Sequence, residues 1–206
     1  MSQAISVDPP ISTSHSRPVR VHSNKPSMLG VGTIVWLGSE LMFFSGLFAA
    51  YFTIRAHDTV GGVWPPHGIK LDIFQSGMFT LVLLLSSVTM QKALWEEEYD
   101  RRRSARWWVV LTFVMGAAFL ANQAVEWGTV NFSTSTNAFG SMFFVMTGLH
   151  GLHVFIGLMA MIGLLGRMAG PKGDPGEVAV FQSISYYWHF VDIVWIGLYA
   201  SLFLLK

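Results

Sequence analysis

The sequence contains no cysteine. Disulfides, thiolate metal sites, cysteine-held iron–sulfur clusters and CxxCH haem attachment are excluded together, and methionine is the only soft metal ligand left. Charge is scarce as well: Asp, Glu, Lys and Arg make up 12% of 206 residues, against 52% hydrophobic. The charged residues fall between long apolar runs, and the runs lack the polar stripe that a soluble amphipathic helix carries on every turn. Such a composition describes a polytopic membrane protein rather than a soluble helical domain. Proline is missing from the apolar runs. It stands in the N-terminal stretch, in Trp64-Pro65-Pro66 and at Pro171 and Pro175, where a break in the helix costs nothing.

What is present is five runs of membrane-spanning length, given that a bilayer core about 30 Å thick needs roughly 20 apolar residues in a helix. They cover approximately residues 28–54, 73–94, 107–127, 138–165 and 178–205. Residues 1–27, rich in Ser, Pro and Val, have no apolar stretch long enough for a signal peptide. They are expected to form a polar, uncleaved tail in which His15 and His22 are solvated. The expected fold is an all-α five-transmembrane-helix bundle over residues 28–206.

Lys and Arg set the orientation. With the tail inside, the inner side holds Arg17, Arg20, Lys25, Lys92, Arg101, Arg102, Arg103, Arg106, Arg167 and Lys172, while the outer side holds Arg55, Lys70 and Lys206. The positive-inside rule then predicts a cytoplasmic N-terminus and, after five crossings, a C-terminus outside. The connector from Trp95 to Arg106 runs Glu96, Glu97, Glu98, Asp100 and then Arg101, Arg102, Arg103, Arg106. It is expected to be a solvated inner-face loop that fixes topology. Trp64, Trp95, Trp107, Trp108 and Trp127 cluster near span ends, as an interfacial belt would.

A few ionisable groups lie within the runs. Glu40 is near the middle of the first, His150 and His153 of the fourth, and His189 and Asp192 of the fifth. A charged side chain at mid-membrane costs roughly 2.5 to 3.5 kcal/mol on insertion scales, so each should be neutral, partnered or both. His150 and His153 are three residues apart, as are His189 and Asp192, which suggests that each pair shares a helix face directed into the bundle. The spacing alone leaves open a structural hydrogen-bonded network, a proton relay, a haem or metal site, and a lipid headgroup site. Asn122, Gln123 and Glu126 form a polar cluster at the outer end of the third run, where water or headgroups can reach. Gly38 and Gly46, Ala117, Ala121 and Ala124, and Gly148 and Gly151 suggest faces of close helix approach.

Three strings are more specific: WLGSELMFFSGLFAAYF at Trp36–Phe52, FGSMFFVMTGLHGLHVFIG at Phe139–Gly157, and YYWHFVDIVWIGLY at Tyr186–Tyr199. Together they resemble subunit III of the heme-copper cytochrome c oxidases, and Asn122 to Trp127 resembles the family's Gln-x-x-Glu. The resemblance covers all five runs, which match the last five of the seven spans of the larger members. It implies an accessory chain with no catalytic residue, metal or redox cofactor of its own, packed mainly on subunit I and also meeting subunit II. Those partners would hold haem a, haem a3, CuA and CuB.

It further implies that Glu40 matches the family's buried, carbodiimide-sensitive carboxylate, and that the chain supports proton uptake and stability of the catalytic subunit and retains phospholipid. The two helices that form the family's lipid cleft have no counterpart in the matched runs, so no residue is assigned to lipid. The place of action would be a bacterial cytoplasmic membrane, with an aa3-type proton-pumping oxidase. Membership of a supercomplex with a cytochrome bc complex stays open, and no nucleic acid is expected.

Glutamate at position 40 favours the cytochrome c branch over quinol oxidases, while accessory subunits of nitric oxide reductases carry similar strings. Outside this class, a stand-alone cytochrome with His150 and His189 as axial ligands, or an independent proton or ion carrier, would use the same residues. Within the family reading, Glu40 is expected to be a neutral acid hydrogen-bonded to His150 or His153.

Overall fold

The computed structural model describes residues 28–58, 64, 66, 69, 71–170 and 176–205. The polar tail with His15 and His22 lies outside them, as do Arg17, Arg20, Lys25, Lys70, Lys172 and Lys206 of the orientation count. Five helices account for nearly all of the described residues: α1 Met28–Asp58, α2 Ile73–Glu98, α3 Arg102–Thr129, α4 Ala138–Ala169 and α5 Glu177–Tyr199. All five are long and apolar enough to cross a membrane, the last one together with a π-helical end at Ala200–Leu204. At about 1.5 Å per residue, the 26 residues of α2 extend about 39 Å. Polar residues continue it past the apolar run, and Asp72 caps its start by accepting from the Gln75 amide at 3.0 Å. Asn137 does the same for α4, accepting from Gly140 at 2.7 Å.

The hub of the bundle is α5, which packs on α1, α2 and α4, while α3 closes a ring by packing on α2 and α4. Helix α1 lies outside that ring, mainly against α5. Its inward positions, Gly30, Thr33, Leu37, Glu40, Phe44, Leu47 with Phe48, Tyr51, and Ile54 with Arg55, recur at three- and four-residue steps, and the other residues up to His57 are exposed.

At the ring's centre is Trp188, fully buried on α5. Its indole N–H donates to Ser86 of α2 at 2.9 Å, and its ring fills the space left by two glycines. A Cβ added to Gly116 of α3 would fall 2.6 Å from the ring, and one added to Gly157 of α4 would fall 2.9 Å from it. Trp195, two turns further along α5, repeats the device by donating to Thr80 of α2 at 3.0 Å. Buried indoles need such acceptors, and these two align α5 against α2.

The glycines and alanines singled out from the sequence are mostly not the ones that bring helices together. A Cβ at Gly38 or Gly46 would meet nothing within 4 Å, because both point away from the ring. Ala121 and Ala124 are likewise exposed. Gly148 does lie close to Trp127, and Gly151 close to Leu120. Composition cannot distinguish a small residue under a neighbour from one on an outward face.

The charged turn between α2 and α3 also departs from expectation. Asp100, at φ 66°, makes the reversal. Arg102 reaches across to Glu177 at the start of α5, at 2.6 Å, and to the carbonyl of Arg167 near the end of α4, at 3.0 Å. Arg106 donates to the carbonyl of Met168. Instead of a solvated loop, half of this arginine cluster clamps three helix ends, donating to carbonyls in the last turn of α4. Trp64 is likewise not on an outer belt. It is buried, and donates to the Tyr51 hydroxyl at 3.0 Å, which donates to the Ser201 carbonyl at 2.7 Å in the π-helical end of the last span.

Candidate functional site: two buried polar networks

The five ionisable groups do not form one network. The first cluster joins α1 to α4: Oε2 of Glu40 lies 3.2 Å from Nε2 of His153. The other ring nitrogen, Nδ1, is 2.7 Å from the carbonyl of Leu149 one turn back. A carbonyl only accepts, so Nδ1 carries a proton. Nε2 of a neutral ring is then a bare acceptor, and the contact with Glu40 holds a single proton. That proton belongs either to the carboxyl of a neutral pair or to the imidazole of an ion pair. Phe44 packs edge-on against the ring, and Tyr187 of α5 donates to the His153 carbonyl at 2.8 Å while stacking on Trp36. The Glu40 side chain keeps 22% of its surface exposed, so this pair opens towards the outside of the bundle.

His150 faces elsewhere. It is fully buried, stacked on Trp195 with ring centres 4.8 Å apart and edge-on to Phe119, and neither ring nitrogen meets a hydrogen-bond partner. Three residues along a helix turn the side chain by about 300°, leaving the pair some 60° apart. In this bundle that angle separates the α1 interface from the ring interior, so the shared face expected for His150 and His153 does not exist.

The second cluster joins α5 to α2. Ser87 bonds both members of the other pair: its Oγ meets Oδ2 of Asp192, and Nδ1 of His189 lies 3.0 Å from the same oxygen. Nε2 of His189 is 3.3 Å from Oε1 of Gln91. Asp192 is 2% exposed, and its Oδ1 has no hydrogen-bond partner. Ser87 and Gln91 escaped the sequence reading because a lone Ser or Gln in an apolar run carries no signal. Their four-residue spacing on α2 is visible only once His189 is known to face them.

The outer-end cluster is buried too. Asn122, Gln123 and Glu126 line the α2–α3 seam. Gln75 donates to Asn122 at 2.7 Å and Ser76 to Glu126 at 2.8 Å. Further along, Thr89 and Thr112 pair at 2.7 Å. These contacts zip the two helices together and turn the polar stripe inward. A cavity of about 360 Å³ beside Glu126 is lined by Leu71, Asp72, Gln75, Ser76, Thr129 and Val130.

Among the described residues, no group of three or more His, Asp or Glu has the arrangement to hold a metal ion. Both ring nitrogens of His189 are engaged by Ser87 and Gln91, and His150 packs on Trp195.

A family model described as cytochrome c oxidase subunit III matches residues 8–206. The probable cytochrome c oxidase subunit 3 of Mycobacterium tuberculosis strain H37Rv is 47% identical over 191 residues, covering 91% of this chain and 93% of the relative. The cytochrome c oxidase subunit 3 of Corynebacterium diphtheriae is 39% identical over 186 residues, 89% of this chain and 91% of that one. The chicken protein of the same name is 37% identical over 179 residues, which is 85% of this chain but 69% of the bird's longer one.

Proposed function

We start from the family to which this chain belongs, that of cytochrome c oxidase subunit III, and propose that it is the non-redox accessory subunit of a proton-pumping, aa3-type cytochrome c oxidase. The observation that carries this reading is the family match over residues 8–206, which takes in all five helices. The names of the bacterial relatives favour the cytochrome c branch over quinol oxidases and nitric oxide reductases. The chain sits in a bacterial cytoplasmic membrane, N-terminus inside, with subunit I as its main contact, subunit II nearby and phospholipid around it. Haem a, haem a3, CuA and CuB belong to those partners.

Its own contribution is to sustain proton uptake and to keep the catalytic subunit stable during turnover. The Glu40–His153 pair supports that role chemically. It places one shared proton in a largely apolar, partly open position, with Leu149 fixing the tautomer and Tyr187 and Phe44 fixing the ring. Burial favours the neutral pair, since separated charges in a low-dielectric setting carry a desolvation cost.

The test is to purify the complex through a tag on this chain and to compare it with the complex lacking the chain. Haem-bearing subunits should co-purify, and their visible spectrum should be the same in both preparations. Proton uptake should be slower, and activity should decay faster during turnover, when the chain is missing. A Soret band retained by the isolated chain, or proton flux through it alone in liposomes, would overturn the accessory reading.

A further inference from the structure

The seam between α5 and α2 carries a second, separate proton-holding element. We propose that Asp192 stands there as a neutral carboxylic acid and that Asp192, Ser87 and His189 form a proton relay from the bundle interior to its surface, with Gln91 accepting from the far ring nitrogen of His189.

The hydrogen-bond inventory decides the polarity. Asp192 is 2% exposed; its Oδ2 meets Ser87 and its Oδ1 meets nothing. A carboxylate would bury an anionic oxygen without a donor, whereas a neutral acid strands only a carbonyl oxygen, a much smaller cost. With its proton on Oδ2, the acid donates to Oγ of Ser87, and the serine hydroxyl donates to Nδ1 of His189 at 3.0 Å. The neutral imidazole then carries its proton on Nε2 and donates to Oε1 of Gln91 at 3.3 Å. The acid, the serine hydroxyl and the imidazole N–H each meet an acceptor. The reverse string begins with a carboxylate and ends with a bare Nε2 facing the oxygen of Gln91, two acceptors in contact.

Transfer along the string is balanced. The O–H bond of Asp192 breaks as Oγ of Ser87 gains that proton, and the original O–H bond of Ser87 breaks as Nδ1 of His189 gains the second. The outcome is a carboxylate and an imidazolium with the same number of protons and no change of oxidation state. His189, Ser87 and Gln91 are half-buried where Asp192 is buried, so the transfer carries a proton from the interior to the rim of the bundle.

The neighbouring titratable groups make other contacts. Lys92, next along α2, lies 3.8 Å from Glu96. On α4, His150 stacks on Trp195 and His153 holds Glu40 of α1, while Tyr187 of α5 donates to the His153 carbonyl. The relay rests on the geometry of this chain and is independent of the Glu40–His153 pair and of which oxidase branch the partner belongs to.

Infrared spectroscopy of the purified complex with carboxyl-labelled aspartate tests it. At neutral pH a carboxylic-acid C=O band should respond to the label, shift in heavy water and be missing from Asp192→Asn. Ser87→Ala should shift that band and slow its deuterium exchange by an order of magnitude or more, and Ser87→Thr, which keeps the hydroxyl, should restore both. Nitrogen NMR of the unmutated complex should find the His189 proton on Nε2. Absence of an Asp192 acid band, a His189 proton on Nδ1 with Nε2 bare, or an exchange rate unchanged in Ser87→Ala would each overturn the proposal.

Discussion

Glu40 of α1 and His153 of α4 meet at 3.2 Å, with the far nitrogen of the imidazole tied to the Leu149 carbonyl at 2.7 Å. The backbone of α4 thereby sets the tautomer that α1 encounters. In the neutral pair proposed above, the Glu40 carboxyl supplies the one proton of this contact.

Glu40→Gln should therefore leave assembly and haem spectra intact, because the amide donates to Nε2 with nearly the same shape. In a double-mutant cycle with His153, thermal unfolding of the complex should give a coupling of about 0.5 to 1.5 kcal/mol, the range of a neutral hydrogen bond. A coupling well above that range would indicate an ion pair. Failure of Glu40→Gln to assemble would refute the neutral acid outright.

Gly116→Ala and Gly157→Ala should each destabilise the chain by about 1 to 3 kcal/mol, the usual cost of overpacking a core. The added methyl would fall 2.6 Å or 2.9 Å from Trp188. In Trp188→Phe, where the offending ring is smaller, either substitution should cost less than in the wild type. Strict additivity in denaturation experiments would show that the clash is relieved some other way.

Gly38→Ala and Gly46→Ala are the control. Neither Cβ meets anything within 4 Å in this chain, and the intrinsic stability should stay within about 0.5 kcal/mol of wild type. A larger loss measured on the chain alone would place those residues in contact with another part of it.

Arg102→Ala should be among the most damaging surface-turn changes, costing about 3 to 5 kcal/mol, since it strands a mostly buried carboxylate at Glu177. Arg102→Ala paired with Glu177→Gln should recover part of the loss. Arg102→Lys should recover little, because a point charge cannot serve Glu177 and the Arg167 carbonyl at once. Equal melting temperatures for Arg102→Lys and wild type would refute the clamp.

Asp192→Leu removes the partner of Ser87 and should lower stability by about 1 to 3 kcal/mol. Asp192→Asn keeps a donor for Ser87 and should cost much less. An unchanged melting temperature for Asp192→Leu would mean that Ser87 and His189 rebond without it.

Much of the fold was legible in the amino-acid order because membrane insertion is governed by quantities that are local in sequence. Run length, the scarcity of charge and the absence of proline in Met28–Asp58, Ile73–Glu98 and the others announce helices whatever packs beside them. The rarity of charge within those runs also marked Glu40, His150, His153, His189 and Asp192 as positions needing an explanation.

Their partners were not legible. Three-residue spacing treats His150 and His153 alike, yet about 60° of helix rotation sends one into Trp195 and the other to Glu40. Ser87 and Gln91 acquire meaning only from α5 opposite them, and Arg102 only from Glu177, 75 residues away. The sequence by itself determined how many helices there are, roughly where they run, and which side chains have to be satisfied inside them. Only the tertiary structure decided which groups satisfy one another, because hydrogen bonds act over about 3 Å and helix rotation and crossing set which atoms come that close.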